Sequence, residues 1–134
     1  MHPRVLLVED DSVISFLVEE ILVELGLDVV AAGDAAGALA AVGGGRRFDL
    51  AVIDLGLPDG TGHAVVRAAR ALSVPVIVSS GDDLRPEDLE RAAGIGEAPV
   101  VLLRKPWNVE RFTASVRRLL ALERAPADAV APAA

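Results

Sequence analysis

The chain contains no cysteine. Disulfides, zinc–thiolate sites and thiol catalysis are therefore excluded. Aromatic residues make up only 3% of it. Its core must come from Val, Leu, Ile and Ala, which suits parallel strands covered by helices. Positive charge is also scarce: 13 Lys and Arg stand against 20 Asp and Glu, a net charge of -7. So acidic a chain is a poor candidate for binding nucleic acid through a broad basic face. It lacks an aromatic-rich basic stretch that could stack bases. No apolar run is long enough to span a bilayer. Met1 to Arg4 lead straight into a short apolar run that ends in Glu9, Asp10 and Asp11, which is no signal peptide. The expected compartment is the cytoplasm, with neither membrane nor nucleic acid as a partner.

What is present is the composition of one globular domain. There are 134 residues, 52% hydrophobic and 25% charged, enough to bury a single core. Short apolar runs alternate with segments of helical period. Val5–Val8 reads as a first strand. Ile14, Leu17, Val18, Ile21, Leu22 and Leu25 then recur at helical spacing, with Asp11 or Ser12 as cap and Gly26 as stop. Asp28–Ala32 is a weaker strand. Asp34 caps a short Ala-rich helix that stops at Gly43-Gly44-Gly45. Leu50–Ile53 forms a third strand ending at Asp54. The loop Leu57-Pro58-Asp59-Gly60-Thr61-Gly62 follows from its turn chemistry, then a helix from about His63 to Leu72.

Val74–Val78 is a fourth strand running into Ser79-Ser80-Gly81. Pro86–Ala93 reads as a short helix, Val100–Leu103 as a fifth strand ending at Arg104-Lys105-Pro106, and the last helix begins near Asn108. Five βα units predict an α/β fold, a doubly wound parallel sheet with helices on both faces. From Ala125 onward the chain is Ala, Pro and Asp without period, which reads as a disordered tail over 125–134 behind a domain of 1–124.

Ligands of open parallel sheets sit beyond the carboxyl ends of the strands. The residues there are Glu9, Asp10, Asp54, Ser80 and Lys105. Clustered carboxylates either hold a divalent cation or raise a pKa, and an oxygen-only donor set points to Mg²⁺ rather than zinc. A lysine and a Mg²⁺ beside one carboxylate can position a phosphoryl group and neutralise its charge. A hydroxyl can donate to a phosphoryl oxygen.

Val5-Leu6-Leu7-Val8-Glu9-Asp10-Asp11, Asp54-Leu55-Gly56-Leu57-Pro58-Asp59-Gly60-Thr61-Gly62, Ser80-Gly81 and Lys105-Pro106 resemble, in order and spacing, the receiver domain of bacterial two-component response regulators, across roughly residues 4–122. The resemblance implies a flavodoxin-like sheet of strand order 2-1-3-4-5. It implies that Asp54 accepts phosphate from a kinase phosphohistidine, and that Glu9 and Asp10 hold Mg²⁺ with Asp54 and the backbone carbonyl of Gly56. Ser80 is then the switch hydroxyl, Lys105 the partner of the phosphoryl group, and Pro106 the proline after it, often a cis peptide. A sensor histidine kinase or histidine phosphotransfer protein is the implied donor, and a downstream protein the implied target. The last three βα units, with Arg111, Arg117 and Arg118, are the implied output surface.

Two features depart from the pattern. Leu102 stands where receivers often carry Tyr or Phe, so the usual aromatic rotation has no ring to use. Gly94–Pro99 is longer than the usual connection into the fifth strand.

Blander readings apply to the neighbours. Asp11 is an N-cap, Asp82, Asp83, Glu87 and Asp88 a solvated acidic surface, His63 a surface residue and His2 part of the terminus. Trp107 packs over the last strand. Ser79 competes with Ser80, and the small residue after Ser80 favours the latter. Gly60 and Gly62 form no P-loop, because no Gly-Lys-Ser/Thr follows.

The leading expectation is a stand-alone response regulator, a binding switch with no output domain and no turnover. An aspartyl-phosphate phosphatase or phosphotransferase would place a second acid two residues after the first, where Gly56 stands here. A degenerate receiver acting as a constitutive docking module is motivated by Leu102 and by the altered connection at Gly94–Pro99. A flavin or nucleotide binder lacks its Gly-rich phosphate loop.

Overall fold

The computed structural model describes residues 2–59, 62–81, 98–105 and 107–124, with side chains to residue 121. Five strands form one parallel sheet: β1 (Arg4–Val8), β2 (Asp28–Ala32), β3 (Leu50–Asp54), β4 (Val76–Ser80) and β5 (Val100–Arg104). Their order across the sheet is β2-β1-β3-β4-β5, the order expected. Four helices lie among the described residues: α1 (Ser12–Glu24), α2 (Ala35–Gly43), α3 (Gly62–Ala71) and α4 (Val109–Arg124). The expected helix at Pro86–Ala93 and the tail at 125–134 lie outside the described residues.

Strand alternation divides the core in two. Leu6, Val8, Ala51, Ile53, Val76 and Val78 pack against α2 and α3. Val5, Leu7, Leu50, Val52, Ile77 and Leu103 pack against α1 and α4 through Val18, Leu22, Phe112, Val116 and Leu119. β3 and β4 are buried over their whole lengths, as central strands covered on both faces must be. On α1 the buried stripe is narrower than its period suggests. Val18 and Leu22 are buried, Ile14, Ile21 and Leu25 are half-buried, and Leu17 is 56% exposed beside Val13 and Phe16.

The caps follow the sequence. Asp11, not Ser12, caps α1, accepting from the N–H groups of Val13 and Ile14 at 2.9 and 3.1 Å. Asp34 caps α2 through Gly37 N–H at 2.7 Å. Gly26 follows α1 with φ 83°, a left-handed conformation that costs glycine little.

β4 begins two residues later than its apolar run. Val74 N–H is spent closing the end of α3, on the Ala69 carbonyl at 3.0 Å, and Pro75 has no N–H to give. The ladder therefore starts at Val76 and carries Ser79 and Ser80 inside the strand.

Candidate functional site

Each strand of the central trio delivers acids or hydroxyls to the carboxyl edge of the sheet. β1 ends before Glu9, which is buried, and Asp10, which is exposed. Asp54 closes β3 and is 7% exposed. Ser79 and Ser80 close β4, both buried. Lys105 follows β5, and its N–H donates to the Ser80 carbonyl at 2.8 Å, which holds it at this edge.

Side-chain oxygens of Glu9, Asp10 and Asp54 lie within 4.8 Å of one another. Lys105 reaches in from the other side. Its Nζ lies 2.8 Å from Glu9 Oε1 and 3.3 Å from Asp54 Oδ2. Asp54 Oδ1 accepts from the Gly56 N–H at 3.0 Å. An all-oxygen set of this size suits a hard divalent cation.

The electrostatics follow from two carboxylates and one ammonium in a poorly solvated place. Burial and the neighbouring Asp54 push the Glu9 carboxyl up to about 7, against the attraction of Lys105. Burial also pushes Asp54 up, but hydrogen bonds from Glu9 and from Gly56 N–H, with the charge of Lys105, hold it below the ordinary aspartate value. Burial works against the ammonium of Lys105, yet Glu9 and Asp54 raise its pKa overall. Hydrogen bonding and the Lys105 charge thus favour the ionised form at Asp54, and burial the protonated form at Glu9.

Other residues hold the loop after Asp54. Gly62 N–H bonds to the Leu55 carbonyl at 3.1 Å. A Cβ on Gly62 would come within 2.5 Å of the Asp54 carbonyl oxygen and 2.9 Å of Leu55 Cα, so only glycine fits this crossing. Asp59 accepts from the N–H groups of Ala35 and Ala36 at 2.7 and 3.0 Å, tying the loop to the start of α2. In the sequence Asp59 is marked only by the turn chemistry of its loop. Its one signal was the unsatisfied N-terminus of a helix 24 residues earlier.

Leu102 is half-buried and packs on the α2/α3 side of the sheet. Trp107 packs over the last strand as expected, but it also donates from Nε1 to Ser79 Oγ at 3.2 Å. His63 is half-buried at the start of α3. Gly60, Thr61, Pro106 and the acidic stretch from Asp82 to Asp88 lie outside the described residues. No helix among the described residues is long and apolar enough to cross a membrane.

The model of the response regulator receiver domain family matches residues 5–117. The chain belongs to this family. Among curated proteins, the receiver is 32% identical over 125 residues to the transcriptional regulatory protein AruR of Pseudomonas aeruginosa, covering 90% of this chain and 50% of that protein. It is 37% identical over 120 residues to the transcriptional regulatory protein PrrA of Mycobacterium tuberculosis, covering 88% and 50%. The chain thus spans about half the length of the curated relatives it matches. Among solved structures it resembles a CheY-like receiver domain protein of Methanospirillum hungatei, with TM-score 0.80, 26% identity, and 92% and 97% of the two chains covered. It also resembles the chemotaxis protein CheY4 of Vibrio cholerae, with TM-score 0.75, 29% identity, and 89% and 99% covered. The flavodoxin-like fold and the place of this chain in two-component signal transduction rest on these matches together with the sheet order.

Proposed function

We propose that this receiver takes a phosphoryl group from a phosphohistidine onto Asp54 and acts as a binding switch. The observation that carries the reading is the convergence of Glu9, Asp10, Asp54 and Lys105 at one sheet edge. One carboxylate oxygen of Asp54 forms the new P–O bond while the P–N bond of the donor breaks. The imidazole leaves with that bond's electron pair. Ionised Asp54 is the attacking form, and the ammonium of Lys105 beside it favours that form.

Glu9, Asp10, Asp54 and the carbonyl of Gly56 are the groups that would hold Mg²⁺. The bound cation supplies charge neutralisation for the incoming phosphoryl oxygens. Lys105 pairs with the phosphoryl group once it is attached, and the hydroxyl of Ser80 donates to it. No acid stands two residues after Asp54, where Gly56 lies, so the domain self-phosphorylates and slowly loses the group without running a turnover cycle. The receiver's own surface then contacts a downstream protein, with a sensor kinase or histidine phosphotransfer protein upstream. Residues 1–124 form the working unit in this reading, in the cytoplasm.

The test is intact mass after incubation with acetyl phosphate and Mg²⁺. Wild type should gain one phosphoryl group and Asp54→Asn none. A gain of equal extent in Asp54→Asn would sink the reading.

A further inference from the structure

Asp54 and Ser79 are direct register partners across β3 and β4. They also share a face. Leu50 and Val52 precede Asp54 on the α1/α4 side, and Ile77 precedes Ser79 there, so strand alternation puts both side chains toward that side. Ser80, one residue on, alternates with Ser79. The hydroxyl of Ser79 accepts the indole N–H of Trp107 at 3.2 Å. The ring of Trp107 stacks on Phe112, centroids 4.7 Å apart and planes 18° apart. Phe112 is fully buried in the first turn of α4, with its N–H on the Asn108 carbonyl at 3.1 Å. One hydrogen bond and one stacked pair therefore join the strand beside Asp54 to the start of α4. On the opposite face Leu102 offers β5 only an aliphatic side chain.

From these contacts we propose that Trp107 is a positioning residue that carries the state of Asp54 to α4 through its hydrogen bond to Ser79. The inference rests on the phosphoacceptor reading above and adds its output path. A phosphoryl group on Asp54 places bulk and charge beside its register partner Ser79, and the proposed donation from Ser80 pulls on the same strand end. Ser79 shares a peptide bond with Ser80, so its hydroxyl moves too. The indole must follow or lose its acceptor, and this contact differs between the two states, as any coupling requires. The planar ring has few ways to yield against Phe112, so the start of α4 shifts with it. Exposed Arg111, one residue before Phe112, moves with that turn and places the change on the surface. The partner-facing change thus lies at the start of α4, on the sheet face opposite Leu102.

The test combines intact mass with NMR on the full chain, before and after acetyl phosphate and Mg²⁺. Trp107 is the only tryptophan, so its indole N–H gives one resonance. In wild type that resonance and the amides of residues 109–113 should shift on phosphorylation. Ser79→Ala and Trp107→Phe should still gain the phosphoryl mass, while the shifts at 109–113 fall about twofold or more. Ser79→Thr, which keeps a hydroxyl, should restore them. Trp107→Phe keeps a stacking ring and guards against a mere loss of packing. Phosphorylated variants with wild-type shifts at 109–113 would overturn the inference alone. Absence of mass gain in wild type would overturn the phosphoacceptor reading and the inference with it.

Discussion

Lys105 places its ammonium 2.8 Å from a carboxylate oxygen of Glu9, across 96 residues of chain. The contact joins the two ends of the site, after β1 and after β5, and its attraction is outweighed at Glu9 by burial and Asp54. Burial and Asp54 bring the Glu9 carboxyl to about 7, so below that pH the metal-free site holds a proton that a bound cation must displace. Mg²⁺ affinity should therefore weaken as pH falls from 8 to 6, by up to about tenfold per unit below 7. Calorimetry in buffers of different ionisation enthalpy should show proton release on binding.

The same shift has a stability consequence. A carboxyl whose folded pKa lies above its unfolded one stabilises the fold below the unfolded value, and that contribution is lost as pH rises through the folded value. Metal-free wild type should thus lose stability between about pH 4.5 and 7. Asp54, shifted the other way, changes stability only at lower pH, around and below its ordinary value, outside this window. Glu9→Gln should be more stable than wild type at pH 8 without metal, by no more than about 3 kcal/mol. Urea unfolding at pH 5 and pH 8 checks the sign.

Asp59 should matter in acid. Hydrogen bonds from Ala35 and Ala36 hold its carboxyl below the usual aspartate range. Its contribution is present above the unfolded value and is lost as pH falls through the folded one. Asp59→Asn should therefore remove part of the acid sensitivity below about pH 4. It should also quicken hydrogen exchange at the N–H groups of Ala35 and Ala36.

Gly62→Ala should disturb the site without touching a charged group. Its Cβ would meet backbone atoms of Asp54 and Leu55 at 2.5 and 2.9 Å, and backbone cannot swing aside. A loss of about 1–3 kcal/mol is expected, with slower phosphorylation because the loop bearing Gly56 must shift. Thermal unfolding and the acetyl phosphate reaction read the two effects separately.

Ser73 offers the opposite outcome. It sits after α3 with φ 60°, the only non-glycine among the described residues at positive φ. Its N–H bonds to the Arg70 carbonyl at 2.9 Å, while Val74 N–H reaches Ala69. This helix ending favours glycine. Ser73→Gly should raise stability by about 1 kcal/mol, visible as a higher melting temperature with phosphorylation unchanged.

Much of this was legible beforehand because the signals are local. The caps at Asp11 and Asp34 and the stop at Gly26 depend on neighbours within a few residues. The apolar runs of β1, β3 and β5 mark strands buried on both faces. The ends of β4 lie two residues later than its apolar run suggests, because Val74 and Pro75 look like strand by composition. Their hydrogen bonding is decided by the end of α3, which composition does not reveal. The spacing of Leu17 fits the helical stripe of α1, yet it lies with Val13 and Phe16 on the exposed side.

By itself the sequence determined which residues could do chemistry: acids after β1, an acid ending β3, hydroxyls ending β4 and a lysine after β5. Their strand-end positions follow from the chain's own pattern of apolar runs and turns. Only the tertiary structure decided how they meet. It set Lys105 against Glu9 as well as Asp54, turned Asp59 into an anchor for α2, and gave the hydroxyl of Ser79 to Trp107. Those contacts join residues 24 to 96 positions apart. Strand order and register create them, and neither is encoded in any local stretch of the chain.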